Sequence, residues 1–262
     1  MWLAVDPLGD KYPAWSPYAY CKNSPIVRYD PDGADDIFNS EGKLVQRTNT
    51  GTRIYVITTE GKMLLSQVNT FQGKNAKTVA RITLHYAKQV GIKGILGVDR
   101  YADKSVTLAY TAGPDKIFLA AGGGTVSNKL DDYNNLKSTL MHEGYHQEEF
   151  RMGAVSTFSG HFGVYLKQMT HETFAETTAD FKSSTVAGAV NRLLNAYHQG
   201  DQGKYEKDFF QQDVDALNYA SSQHGITVDI AEDKKSFIIN QTVNGKVVQY
   251  KGFYKELENP SD

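Results

Sequence analysis

His142-Glu143-Gly144-Tyr145-His146 decides the reading of this chain, because it spells H-E-x-x-H inside a stretch with helical periodicity. Two histidines four residues apart project from one helical face, with Cβ atoms roughly 5–6 Å apart. That spacing lets both imidazoles bind a single ion. The glutamate directly after the first histidine then leans over the ion's open side, where it can take a proton from a water. The pattern implies metal-assisted hydrolysis of peptide bonds, with zinc held by His142 and His146 and with Glu143 as general base. From Leu130 to Phe150 there is no proline, and Tyr133, Leu136 and Leu140 recur at three- and four-residue steps. Asp131 and Asp132 suit a helix N-terminus. Gly144 is the one weak helix former, costing about 1 kcal/mol of propensity, which is tolerable if something must approach the helix there.

Zinc needs a third protein ligand. The metzincin arrangement requires glycine at position 149 and histidine at 152, and this chain has Glu149 and Met152, which excludes that subclass. Downstream, Tyr165 to Phe181 is free of proline and glycine and predicts a second helix. Glu172, Glu176 and Asp180 are spaced by four on it. The element Glu176-x-x-Ala179-Asp180 resembles the E-x-x-A-D element of gluzincins such as the HtpX-like and CAAX-processing peptidases. The resemblance covers roughly residues 130–182. It implies Glu176 as third zinc ligand, with Glu172 as the fallback, and Asp180 as the carboxylate that orients a ligand histidine.

A second resemblance governs residues 1–33. Asp6-Pro7-Leu8-Gly9, Lys11-Tyr12-Pro13-Ala14-Trp15-Ser16-Pro17-Tyr18-Ala19-Tyr20, Asn23-Ser24-Pro25 and Asp30-Pro31-Asp32-Gly33 are similar to the end of an Rhs/YD-repeat core. In that family the repeats form a β-rich shell, and a variable C-terminal effector, frequently a toxin against neighbouring bacteria, follows. The resemblance implies a core remnant over 1–33 and an effector domain over 34–262. It also implies delivery into a target cell, an upstream Rhs shell and a cognate immunity protein as partners. Asp6 and Asp30 match the aspartates at which such shells cut the chain. Ala34 departs from the leucine common after the last glycine, and self-cleavage by this chain is not expected. Without the family, the same stretch is simply turn-rich, with five of the chain's seven prolines.

Hydrophobic residues at 40% and charged residues at 22% indicate a globular domain with a core of its own. A formal net charge of -2 argues against a nucleic-acid partner, whose footprint is a basic excess. No apolar run approaches the roughly 20 residues a membrane span needs. Met1-Trp2-Leu3-Ala4-Val5 lacks a basic n-region, so no signal peptide is expected. The single cysteine, Cys21, excludes an internal disulfide framework.

After Gly33 the pattern is α+β: a zincin-like arrangement with a small antiparallel sheet packed on the H-E-x-x-H helix and a second helix carrying the third ligand. Strands are expected at Lys43–Arg47 and Arg53–Thr58, with a turn at Glu60-Gly61-Lys62 into Met63-Leu64-Leu65. A core-backing helix is expected over Lys77–Val90. Val106–Tyr110 and Ile117–Ala120 read as a hairpin, with Ile117–Ala120 as the cleft-rim strand on which an extended substrate could pair. Gly122-Gly123-Gly124-Thr125 is not a phosphate loop and reads as a flexible loop at the cleft. Gly188–His198 and Tyr205–Gln223 read as helices, and Phe237–Asn240 with Val247–Tyr250, around Asn244-Gly245, as a closing hairpin.

His85, His198 and His224 read as structural. His161, His171 and Tyr165 lie within or beside the zinc elements. Each is a candidate oxyanion donor, and His171 is also an alternative ligand. The reading that results is a zinc peptidase effector acting on protein or peptide substrates. Its competitors are a non-catalytic binding module with the same fold and a non-peptidase toxin such as a nuclease, which the charge balance disfavours.

Overall fold

The computed structural model describes residues 35–47 and 51–258. The Rhs-like stretch, with Asp6, Asp30 and the proposed boundary at 33/34, lies outside the described residues. The described chain is a mixed α+β structure of small sheets and helices, organised around two hydrophobic clusters.

The first cluster is built by the N-terminal elements. Strands β1 (Asp36–Phe38), β2 (Leu44–Arg47), β3 (Ile54–Thr58) and β4 (Gly61–Leu64) form a sheet in the order β2-β1-β3-β4. Helix α1 (Asn75–Gln89) buries Val79, Ile82, Tyr86 and Ala87 in the cluster, at the three- and four-residue steps that its sequence shows. Strands β5 (Ile95–Asp99), β6 (Ala109–Thr111) and β7 (Lys116–Ala120) form a second sheet. Helix α2 (Tyr133–Arg151) carries the H-E-x-x-H residues and adds Leu136 and Leu140 to the cluster. Asp132 caps α2 by accepting from the backbone N–H groups of Asn134 and Asn135.

The second cluster belongs to α3 (Phe158–Thr170), the short α4 (Glu172–Ala175), α5 (Ala179–Gln199), α6 (Phe210–Ser222) and an antiparallel sheet. That sheet runs β10-β9-β8, from β8 (Ile226–Ile230), β9 (Ser236–Val243) and β10 (Lys246–Phe253). It extends the expected hairpin by one strand, since Ile226, Val228 and Ile230 alternate with Thr227 and Asp229. Helices α2 and α3 pack together, so the seam between the clusters runs between them.

Three expectations are corrected. The sheet beside α2 is mixed, because β5 runs parallel to β7 while β6 is antiparallel to it. Sequence hides β5 because Gly97 sits in its centre. That glycine is required by packing: a Cβ there would lie 2.5 Å from the Phe118 ring. The order β5-β7-β6 also makes Ile117–Ala120 the central strand, leaving β6 as the edge strand packed on α2. Val106 and Thr107 are not in β6, because the carbonyl of Asp103 accepts from both of their N–H groups and folds them into a turn.

The third correction concerns the second helix. Instead of one helix over 165–181, the chain breaks twice. His171 caps α4 by accepting from the backbone N–H of Thr173, and the Thr178 hydroxyl caps α5 by accepting from that of Phe181. The break is held from α2. The buried Asn135 donates through Nδ2 to the carbonyl of Lys129 and to the Thr178 hydroxyl, while its Oδ1 accepts from the Thr178 N–H. Local capping thus overrides helix propensity, and Glu172, Glu176 and Asp180 do not form a stripe on one helix.

Replacing Asn135 tests this brace. Asn135→Ala removes all three bonds and leaves the Thr178 N–H without its acceptor, so unfolding in urea is expected to show a loss of about 2–3 kcal/mol. A change below about 0.5 kcal/mol would show that the brace is dispensable.

Candidate metal centre

His142 and His146 leave α2 on one side, and His161, in the first turns of α3, meets them across the seam. The three residues form a group whose ligand atoms all lie within 4.8 Å of one another. His142 Nε2 is 3.0 Å from His161 Nε2 and 3.2 Å from His146 Nε2. Two nitrogens bound to one tetrahedral zinc at about 2.0–2.1 Å stand about 3.3–3.4 Å apart, so the histidine nitrogens are spaced to within a few tenths of an ångström of that requirement.

The partners of the other ring nitrogens decide what the cluster can hold. His142 Nδ1 is 3.0 Å from Gln168 Oε1. The Gln168 amide is oriented independently, because its Nε2 donates to the carbonyl of Ser138 (3.2 Å) and to the Ser138 hydroxyl (3.1 Å). The oxygen facing His142 can only accept, so Nδ1 carries the proton and Nε2 presents a lone pair. His146 Nδ1 faces Glu149 Oε2 at 2.8 Å, which places its proton the same way. Burial, with nearby His146 adding to it, pushes the His142 imidazolium down to about 3, so His142 is uncharged near neutral pH. Imidazole lone pairs on His142 and His146 turned toward a common point fit a metal cation.

Glu143 is 5% exposed. The Thr111 hydroxyl at the end of β6 lies 2.9 Å from Glu143 Oε2 and 2.9 Å from its backbone carbonyl. Burial raises the Glu143 carboxyl above its ordinary range, opposed by His146 and by the Thr111 bonds. Gly144 answers to packing: a Cβ there would be 2.2 Å from Cδ1 of Ile92, so the glycine admits Ile92 against α2. Tyr165 flanks two of the histidines, with its ring stacked on His161 at 5.2 Å and tilted against His142 at 4.7 Å. Its hydroxyl rests against α5, 2.7 Å from where a Cβ on Gly188 would stand. The buried Arg192, one turn further along α5, bears electrostatically on both His142 and Tyr165.

Of the residues singled out from sequence, His142, Glu143, His146, His161 and Tyr165 come together. The others lie apart. Glu176 is exposed at the C-terminal end of α4, where its carbonyl accepts from Asn134 Nδ2. Glu172 is exposed in α4. His171 is engaged as the α4 cap. The Asp180 side chain is 74% exposed and lies 3.6 Å from Lys129 Nζ, while Gln168 and Glu149 occupy the histidine-facing positions expected of it. Gln168, Ser138, Thr111 and Arg192 were not anticipated. One signal was present: His161, Tyr165 and Gln168 follow the i, i+4, i+7 rule of a single helix face.

Comparison with known proteins gives the family. The family described as Metallopeptidase toxin 2 matches residues 36–224, and the chain belongs to that family. No curated protein and no solved structure matches. Membership makes this a toxin domain of the metallopeptidase kind, and a metal is therefore part of its chemistry.

By orienting His142, the Gln168 amide is expected to contribute to metal affinity. Gln168→Ala is expected to weaken binding about 10–100-fold in chelator competition, and Gln168→Glu, which still accepts from His142 Nδ1, to retain most of it. Unchanged affinity in the alanine variant would remove Gln168 from the site.

Proposed function

We propose that this domain is a zinc-dependent peptidase that works as a delivered antibacterial toxin. The observation that carries the reading is the convergence of three histidine Nε2 atoms beside the buried Glu143. His142, His146 and His161 would hold the ion, an all-nitrogen set that suits zinc and leaves a fourth position for water or substrate. The third ligand is thus His161 from α3, in place of Glu176. When bound, zinc would supply Lewis-acid polarisation of the scissile carbonyl and of the attacking water.

The protein's own groups do the rest. Glu143 accepts the proton of the attacking water and returns it to the leaving amine. Its burial favours that role, since a carboxylate stripped of solvent is a stronger proton acceptor than an exposed one. Thr111 engages Oε2, so the free oxygen, Oε1, meets the water. Gln168 and Glu149 fix the tautomers and ring planes of His142 and His146, and stacking on Tyr165 fixes the plane of His161.

The biological part of the proposal rests on the Rhs-like residues 1–33 together with the toxin family. In it the domain follows a repeat shell, a cognate immunity protein guards the producer, and the substrate is a protein of the target cell. Among the described residues no helix is long and apolar enough to cross a membrane.

Two measurements test the proposal. Zinc content near one per chain is expected for the parent and for Glu176→Gln, with His161→Ala falling well below it; the opposite ranking would return the third ligand to Glu176. Glu143→Gln is expected to keep its zinc, lose about a thousandfold in peptide-bond cleavage, and relieve the growth arrest caused by expressing the parent chain in a susceptible bacterium. Cleavage at the parent rate would exclude Glu143 as the base.

A further inference from the structure

The face of α2 that carries the metal ligands continues past them. His142, His146 and Phe150 are four residues apart, and their exposure rises along the helix: His142 is 8% exposed, the His146 side chain 17%, and Phe150 52%. The histidine group is therefore closed toward the middle of α2 and open toward its C-terminal end. A helical side chain leans toward the turn before its own Cα, so Phe150 leans toward the turn of His146.

The link from α2 to α3 passes this same opening, since it leaves Arg151 and enters α3 three residues before His161. Residues 152–156 are all exposed, among them Met152 at 81% and Val155 at 64%. Across from the link, Arg151 Nη2 donates to the carbonyl of Pro114 at 2.8 Å, tying the β6–β7 turn to the same end of α2. Earlier in α2 the large apolar residues Leu136 and Leu140 are fully buried. Three large apolar side chains left in water on the last turn of α2 and the link after it, beside the open end of the histidine group, offer a binding surface.

We propose that Phe150, Met152 and Val155 form an apolar lip that selects substrates with a large apolar side chain adjacent to the cleaved bond. The inference rests on the peptidase reading given above and names the substrate class of that site. The occupant is an extended polypeptide, whose successive residues advance about 3.3 Å, so a side chain next to the carbonyl at the metal reaches the turn that Phe150 covers. Glu149, whose Oε2 lies 2.8 Å from His146 Nδ1, disfavours an acidic side chain in the same position.

The test is cleavage of a degenerate peptide pool by the full zinc-loaded chain, with cut sites mapped by mass spectrometry. The variant is Phe150→Ser/Met152→Ser/Val155→Ser, whose exposed positions leave the core intact. The parent is expected to enrich large apolar residues at one position flanking the cut and to deplete Asp and Glu there. The variant is expected to lose that preference, with kcat/KM for apolar substrates down about tenfold and zinc content unchanged. Cleavage by the parent without apolar enrichment, or enrichment that survives in the variant, overturns the lip and leaves the peptidase reading standing. A zinc-loaded parent that cuts no peptide overturns both.

Discussion

One amide holds the site together. Gln168 lies on α3, yet its nitrogen is anchored to Ser138 and its oxygen to His142, both on α2. It therefore fixes a tautomer and the distance between two helices at once. Each helix buries its apolar residues in a different cluster, Leu136 and Leu140 on one side and Phe162 and Met169 on the other. Where the two clusters meet, side chains of both helices face each other, and a buried polar set can be built there only if every member finds a partner. His142, His146, His161 and Gln168 are that set.

Glu143 is supported from another direction. Glu143 reaches back to the sheet of the first cluster, where Thr111 closes the edge strand β6, while the next residue, Gly144, lies under Ile92. Helix α2 is thus located by the sheet through Glu143, by the link after α1 through Ile92, and by α3 through His142. Three contacts from three elements leave it little freedom to rotate, and rotation is what would scatter the nitrogens. Pre-organisation of this kind is what reactive groups require when geometry must hold within a fraction of an ångström.

The sequence revealed whatever depends on neighbours along the chain. The α2 motif, the α1 stripe of Val79, Ile82 and Tyr86, and the Asn244-Gly245 turn all follow local rules, and all are found. The meeting of His161 with His142 and His146 depends on a contact across the seam, and periodicity does not report it. Reading Glu172, Glu176 and Asp180 as a stripe assumed an unbroken helix, but the capping chemistry of His171 and Thr178 was stronger than the propensity of the residues between them. His161 was among the candidates, yet its place beside His142 follows from the packing of α3 on α2, which a linear pattern cannot encode. β5 stayed hidden because Gly97, needed under the Phe118 ring, lowers the strand signal.

The family match ends at residue 224, yet the fold does not. Ile226, Val228, Phe237 and Ile239 of the final sheet lie in the same cluster as Phe162 of the helix that brings His161 to the seam. The C-terminal residues Lys255 and Leu257 are in turn fastened to Asn195 on α5. The part of the chain that similarity defines as the domain thus borrows its hydrophobic closure from a segment similarity does not see. A chain cut at 224 would keep α2 and α3 without part of the wall against which the helix bearing His161 packs. The matched segment and the unit of folding part company by some thirty residues, and only the longer one closes its own core.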